Sequence, residues 1–126
     1  MARILLVDDS AFIVGTLRPF LESEGHEIVA VGTDGNEGVA LFQEHHPDLV
    51  LLDITMPNKD GRACLEEILE LDAKAKVIMV SAIQDMKIFM ECMKKGALNF
   101  IQKPLKLRDP AFCLEFRKLI DEALTH

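Results

Sequence analysis

Asp8 and Asp9 follow the apolar run Ile4–Val7, Asp53 follows Leu49–Leu52, Ser81 follows Val77–Val80, and Lys103-Pro104 comes just after Leu98–Ile101. Two adjacent carboxylates at the end of a buried strand repel each other and are costly to desolvate. Singly, each of these residues has an ordinary use: an Asp after a strand caps the next helix, a Ser makes a turn, and a Lys before a Pro is solvated. Asp53 fits the ordinary use least well, because four consecutive apolar residues precede it. Brought to one place, three carboxylates, one hydroxyl and one ammonium leave a surplus of negative charge. That surplus suits a hard divalent cation with oxygen ligands, Mg²⁺ before others.

The elements that must position these residues follow from the pattern of the chain. Strands are expected over Arg3–Val7, Glu27–Val31, Leu49–Leu52, Val77–Val80 and Leu98–Ile101, and helices over Ser10–Glu24, Asn36–His45, Gly61–Leu71, Gln84–Lys95 and Pro110–Leu124. The runs LVLLD and VIMVS are apolar at every position rather than alternating, as befits central strands of a parallel sheet covered on both faces. Turn signals at Gly25, Gly32, Pro57-Asn58 and Gly96 separate five βα units, which gives an open, doubly wound α/β fold. In such a sheet ligands bind at the carboxyl ends of the strands, near the point where strand order reverses, so the five polar residues belong on one rim.

Composition narrows the function. With 126 residues the chain has the length of a single domain, 1–126, large enough to bury a core without disulfides. A net charge of −7 disfavours nucleic acid as a partner. Cys64, Cys92 and Cys113 are odd in number, widely spaced and lack Cys-x-x-Cys spacing, which fits a reduced, cytoplasmic thiol pool. The first apolar run is interrupted too early for a signal peptide, and the others are strand length, so no membrane span is expected.

Asp8-Asp9, Asp53 with Met56-Pro57 and Asp60-Gly61, Ser81-Ala82, and Gly96-Ala97 leading through Phe100 to Lys103-Pro104 together resemble the receiver domain of two-component response regulators, in order over essentially the whole chain. The resemblance implies a flavodoxin-like (βα)5 fold with strand order 2-1-3-4-5. It implies that Asp53 is phosphorylated by a histidine kinase or phosphotransfer protein. It also implies Mg²⁺ held by Asp9, Asp53 and the backbone carbonyl of Thr55, with Asp8 assisting through water. Lys103 would offset phosphoryl charge, Ser81 would donate to a phosphoryl oxygen, and Phe100 would rotate in response, passing the change to a partner face. A cis peptide bond is expected at Lys103-Pro104, since only X-Pro bonds adopt cis cheaply. The stretch DDSAF with LLDITMP is similar to chemotaxis-type, CheY-like stand-alone regulators, including those acting on the flagellar motor switch. Because the chain stops just after the fifth helix, no output domain is expected, and a separate downstream protein would receive the signal. The protein would be a monomer or a phosphorylation-dependent dimer.

Several features depart from the common receiver pattern. The switch aromatic is Phe100 rather than Tyr and lacks a hydroxyl. Pro19 lies within the first helix, where its ring should clash with the Gly15 carbonyl and kink the helix. Asp109 and Pro110 start the last helix late, leaving a long loop after Pro104. On the fourth helix, advancing roughly 100° per residue separates Met86, Phe89, Met90 and Met93 from Ile88 and Cys92; Ile88, Cys92 and Phe89 are taken as part of an exposed partner or dimer surface. Gly32, Gly35 and Gly38 match neither the dinucleotide fingerprint nor a P-loop, so Asp34 reads as a helix cap. His45-His46 reads as a solvated helix end.

Two other readings compete with the signalling switch. Phosphatases of the haloacid dehalogenase type also use an Asp nucleophile after a strand with Mg²⁺, but they need a second acid two residues later, where this chain has Thr55. A receiver-like interaction module without phosphorylation would leave the acidic rim unexplained. The favoured reading is therefore a switch that catalyses only its own Mg²⁺-dependent phosphorylation and dephosphorylation, and is not an enzyme acting on other substrates.

Overall fold

A computed structural model describes residues 1–126. Five βα units follow in order: β1 (Arg3–Val7), α1 (Ala11–Ser23), β2 (Glu27–Gly32), α2 (Gly35–His45), β3 (Leu49–Leu52), α3 (Gly61–Leu71), β4 (Val77–Ser81), α4 (Met86–Lys95), β5 (Asn99–Gln102) and α5 (Pro110–Thr125). All strands pair in parallel in the order β2-β1-β3-β4-β5. The chain thus has the flavodoxin-like order expected, with strand and helix ends within two residues of those read from sequence. No helix is long and apolar enough to cross a membrane.

The uninterrupted apolar runs are explained by the two faces of this sheet. Successive side chains of a strand point to opposite sides. Ile4, Leu6, Leu49, Leu51, Ile78 and Val80 pack against Leu17 and Leu21 of α1 and Phe116 and Ile120 of α5. Leu5, Val7, Val50, Leu52, Val77 and Met79 pack against Phe42 of α2, Cys64, Leu65 and Ile68 of α3, and Cys92 of α4. Every residue of β3 and β4 is buried, so each of these strands serves both cores.

Short polar residues start the helices. The side chains of Ser10, Asp34, Asp60, Asp85 and Asp109 each accept a hydrogen bond from a backbone N–H in the first turn that follows, satisfying donors that have no partner within the helix. Gly96, at φ +119°, ends α4 in the left-handed region that favours glycine. α1 continues as one helix through Pro19. The loop from Pro104 to Asp109 tucks Leu105 and Leu107 against the α1/α5 core, and the Leu107 carbonyl accepts from the Cys113 thiol.

Candidate functional site

The parallel ladder runs one residue past the strands, and that extension builds the rim. Asp8 N–H donates to the Gly32 carbonyl, Asp53 N–H to the Val7 carbonyl and Lys103 N–H to the Ser81 carbonyl, each at 2.9 Å. The backbone of each rim residue is thereby fixed to the neighbouring strand while its side chain points out of the carboxyl edge of the sheet.

Carboxylate oxygens of Asp8, Asp9 and Asp53 lie within 4.8 Å of one another. Asp8 and Asp53 are buried and Asp9 is exposed, so the cluster opens to solvent on the Asp9 side. Lys103 Nζ sits 2.8 Å from Asp8 Oδ2 and 3.5 Å from Asp53 Oδ2. The lysine is thus primarily the partner of Asp8. Asp8 Oδ1 accepts from Ser10 N–H at 2.9 Å, and Asp53 Oδ1 from Ile54 N–H at 2.8 Å. Burial, reinforced by the charge of Asp8 and opposed by Lys103, pushes the Asp53 carboxyl up to about 6. Three carboxylates against one ammonium leave two uncompensated negative charges. That all-oxygen donor set fits a hard divalent cation.

The turn that carries Asp53 is braced from three sides. Gly61 begins α3 so close to the Asp53 carbonyl oxygen that an added Cβ would lie 2.0 Å from it, and its N–H donates to the Ile54 carbonyl at 2.7 Å. Asn58, at φ +64°, turns its amide to Asp34 Oδ2 at 2.7 Å. Gly35 N–H donates to the Lys59 carbonyl at 2.8 Å. Asp34 therefore caps α2 and also ties the β2–α2 turn to the loop after Asp53. Its pairing with Asn58 spans 24 residues, and no sequence pattern announced it.

The remaining rim residues divide. Ser81 is buried, and its Oγ accepts from Ile83 N–H at 3.2 Å, within its own loop. Thr55 is exposed. Phe100 is half-buried with its ring against Phe89 of α4, centroids 3.7 Å apart. The Lys103-Pro104 peptide bond is cis.

The sequence model of the response regulator receiver domain matches residues 4–110, which include every rim residue above. The chain belongs to the response regulator receiver family. The chemotaxis protein CheY of Bacillus subtilis is 42% identical over 104 residues, covering 82% of this chain and 87% of that protein. CheY of Treponema pallidum is 43% identical over 105 residues, covering 82% and 73%. Among solved structures, a CheX–CheY–BeF3–Mg complex from Borrelia burgdorferi superposes with a TM-score of 0.87 at 38% identity, covering 95% of this chain and 87% of that one. The chain is a CheY-like receiver of two-component signalling.

One expectation about this receiver's surface is overturned. Cys92 is fully buried and Ile88 packs against the α2/α3 core, so neither is exposed as a partner surface would need. The opposite arc faces solvent: Met86, Met90 and Met93 are 67%, 58% and 43% exposed. Cys92 is turned into the core between α4 and the sheet, and the longer methionines are turned outward. Phe89 lies between, half-buried on Phe100.

Proposed function

We propose that this receiver is a phosphoryl-accepting switch in which Asp53 takes a phosphoryl group from a histidine kinase or a phosphotransfer protein, and a separate downstream protein reads the result. The observation that carries this reading is the setting of Asp53: a buried carboxylate beside a second carboxylate and an ammonium, at the open edge of the sheet. In this reading an ionised Asp53 oxygen attacks phosphorus, the P–N bond to the donor imidazole breaks with its electron pair, and an acyl phosphate forms. Near neutral pH most Asp53 carboxyls are ionised despite the raised value of about 6, so the nucleophile is available.

Asp9, Asp53 and the Thr55 backbone carbonyl would hold Mg²⁺, with Asp8 assisting through water. When bound, the cation supplies positive charge where a carboxylate and an anionic phosphoryl group must approach. Lys103, already 3.5 Å from Asp53 Oδ2, adds a compact positive charge on the other side. Ser81 Oγ, which only accepts a bond at present, keeps its proton to donate to a phosphoryl oxygen. Drawing Ser81 toward the new group would pull on the residues up to Ile83, and Phe100 and α4 would readjust. The surface offered to the partner is then the exposed arc of Met86, Met90 and Met93 with Phe89, while Ile88 and Cys92 lie beneath it. The three free, buried thiols agree with work in the cytoplasm.

Intact-mass measurement after incubation with Mg²⁺ and acetyl phosphate or phosphoramidate tests this directly. A Mg²⁺-dependent gain of one phosphoryl group, absent in Asp53→Asn, is expected. Sustained turnover of phosphate esters would indicate a phosphatase instead, and no gain with any donor would indicate a silent interaction module.

A further inference from the structure

α4 is fastened unlike the other helices. Of its ten residues only Cys92 is buried, whereas α3 buries Cys64, Leu65 and Ile68 and α5 buries Cys113, Phe116, Ile120 and Ala123. Along the cleft between α3 and α4, however, side chains of alternating charge run without a break. Asp60 Oδ2 lies 3.3 Å from Arg62 Nη2, and Arg62 Nη1 lies 3.2 Å from Glu91 Oε2. Glu91 Oε1 is 3.4 Å from Lys95 Nζ, which is 3.1 Å from Glu66 Oε2. Two of these pairs, Arg62–Glu91 and Lys95–Glu66, cross from one helix to the other. Arg62 Nε is covered from solvent without a partner, and the terminal nitrogens of this partly exposed side chain are committed to the bridge. The hydrogen bond from Arg62 holds the Glu91 carboxyl below its usual range, and the bond to Glu66 holds the Lys95 ammonium above its own.

The chain of charges ends at a significant place. Asp60 is the N-cap of α3 and closes the loop that begins at Asp53. Two residues before Glu91, α4 carries Phe89, which touches Phe100. A helix with little apolar anchorage is thus tied by charge to the most firmly anchored helix on its side of the sheet.

We propose that the Asp60–Arg62–Glu91–Lys95–Glu66 chain is a latch that holds α4 against α3 in the resting arrangement, sets how readily the receiver switches, and is loosened by salt. The proposal rests on the phosphoryl-switch reading above. A ligand that binds only the switched form shows an apparent affinity reduced by the fraction of molecules in that form. Opening the latch raises that fraction and tightens the ligand. Because partly exposed ion pairs are individually weak and screened by salt, the effect of each link is modest.

The test is titration of the whole chain with beryllofluoride in saturating Mg²⁺, read by calorimetry or ¹⁹F NMR, since the chain has no Trp or Tyr to report by fluorescence. Arg62→Met keeps the aliphatic stem and Glu91→Gln keeps the shape; each is expected to tighten beryllofluoride roughly two- to fivefold. Combining them should add little, because both cut the same link. Raising salt from about 0.05 M to about 0.5 M should change wild-type affinity toward tighter binding by more than it does in the Arg62→Met variant. Unchanged or weaker binding in both single variants, with equal salt responses, would overturn the latch. Failure of the wild type to bind beryllofluoride, or equal binding by Asp53→Asn, would overturn the switch reading itself and the latch with it.

Discussion

α3 and α4 lie side by side on the same face of the sheet but are held there by different forces. α3 is fixed by apolar burial, with Cys64, Leu65 and Ile68 all fully covered, and by backbone contact at Gly61. α4 has one fully covered side chain, Cys92, and leans on α3 through ion pairs. The difference assigns them different work. A close-packed core does not deform gradually, so α3 can hold Asp53 in place, while a helix held by partly exposed charges can shift at small cost.

The largest effect is expected where α3 meets the Asp53 turn. Gly61→Ala puts a Cβ 2.0 Å from a main-chain oxygen that no flexible side chain can vacate; a loss above about 4 kcal/mol is expected in urea unfolding. Next, Ile68→Ala removes a fully buried side chain from α3, at an expected cost of about 3 kcal/mol. If either change were tolerated within about 1 kcal/mol, α3 would not be the fixed partner.

A smaller effect, of opposite sign, is expected from Asp53→Asn. The folded state raises the Asp53 carboxyl from its model-peptide value of 3.8 to about 6, so the folded protein prefers the protonated form. Asp53 therefore costs stability above about pH 6, and that cost fades as pH falls toward about 4. Asp53→Asn should stabilise the metal-free protein by about 2 kcal/mol at neutral pH and by little near pH 4. Saturating Mg²⁺ should narrow the gap by stabilising only the wild type. Unfolding midpoints at both pH values, with and without Mg²⁺, check this.

The smallest expected change tests α4. Met90→Ser alters an exposed side chain and should move stability by less than about 0.5 kcal/mol. A loss comparable to that of Ile68→Ala would mean that α4 is anchored as α3 is.

The same contrast explains what could be read before folding. β3 and β4 were legible because runs such as LVLLD and VIMVS are apolar at every position, which only a strand covered on both faces requires. The rim was legible for the same reason: a polar residue ending such a run has nowhere to go but the carboxyl edge. α4 was not. Its wheel offers two apolar arcs, and periodicity cannot say which faces the sheet when the inward one holds a cysteine and the outward one three methionines. What settles the choice is contact with residues far away, Phe100 beneath it and Arg62, 29 positions earlier, beside it. The Asp34–Asn58 tie escaped notice on the same grounds, since Asp34 had a sufficient local use as a cap.

The most direct test of the central claim is to reduce the protein with borohydride after exposure to Mg²⁺ and acetyl phosphate, then map its peptides by mass. An acyl phosphate is reduced where a free carboxylate is not, so the switch reading predicts homoserine at position 53 and nowhere else, dependent on Mg²⁺. Reduction at Asp8 or Asp9, or at no position under any condition, would contradict it.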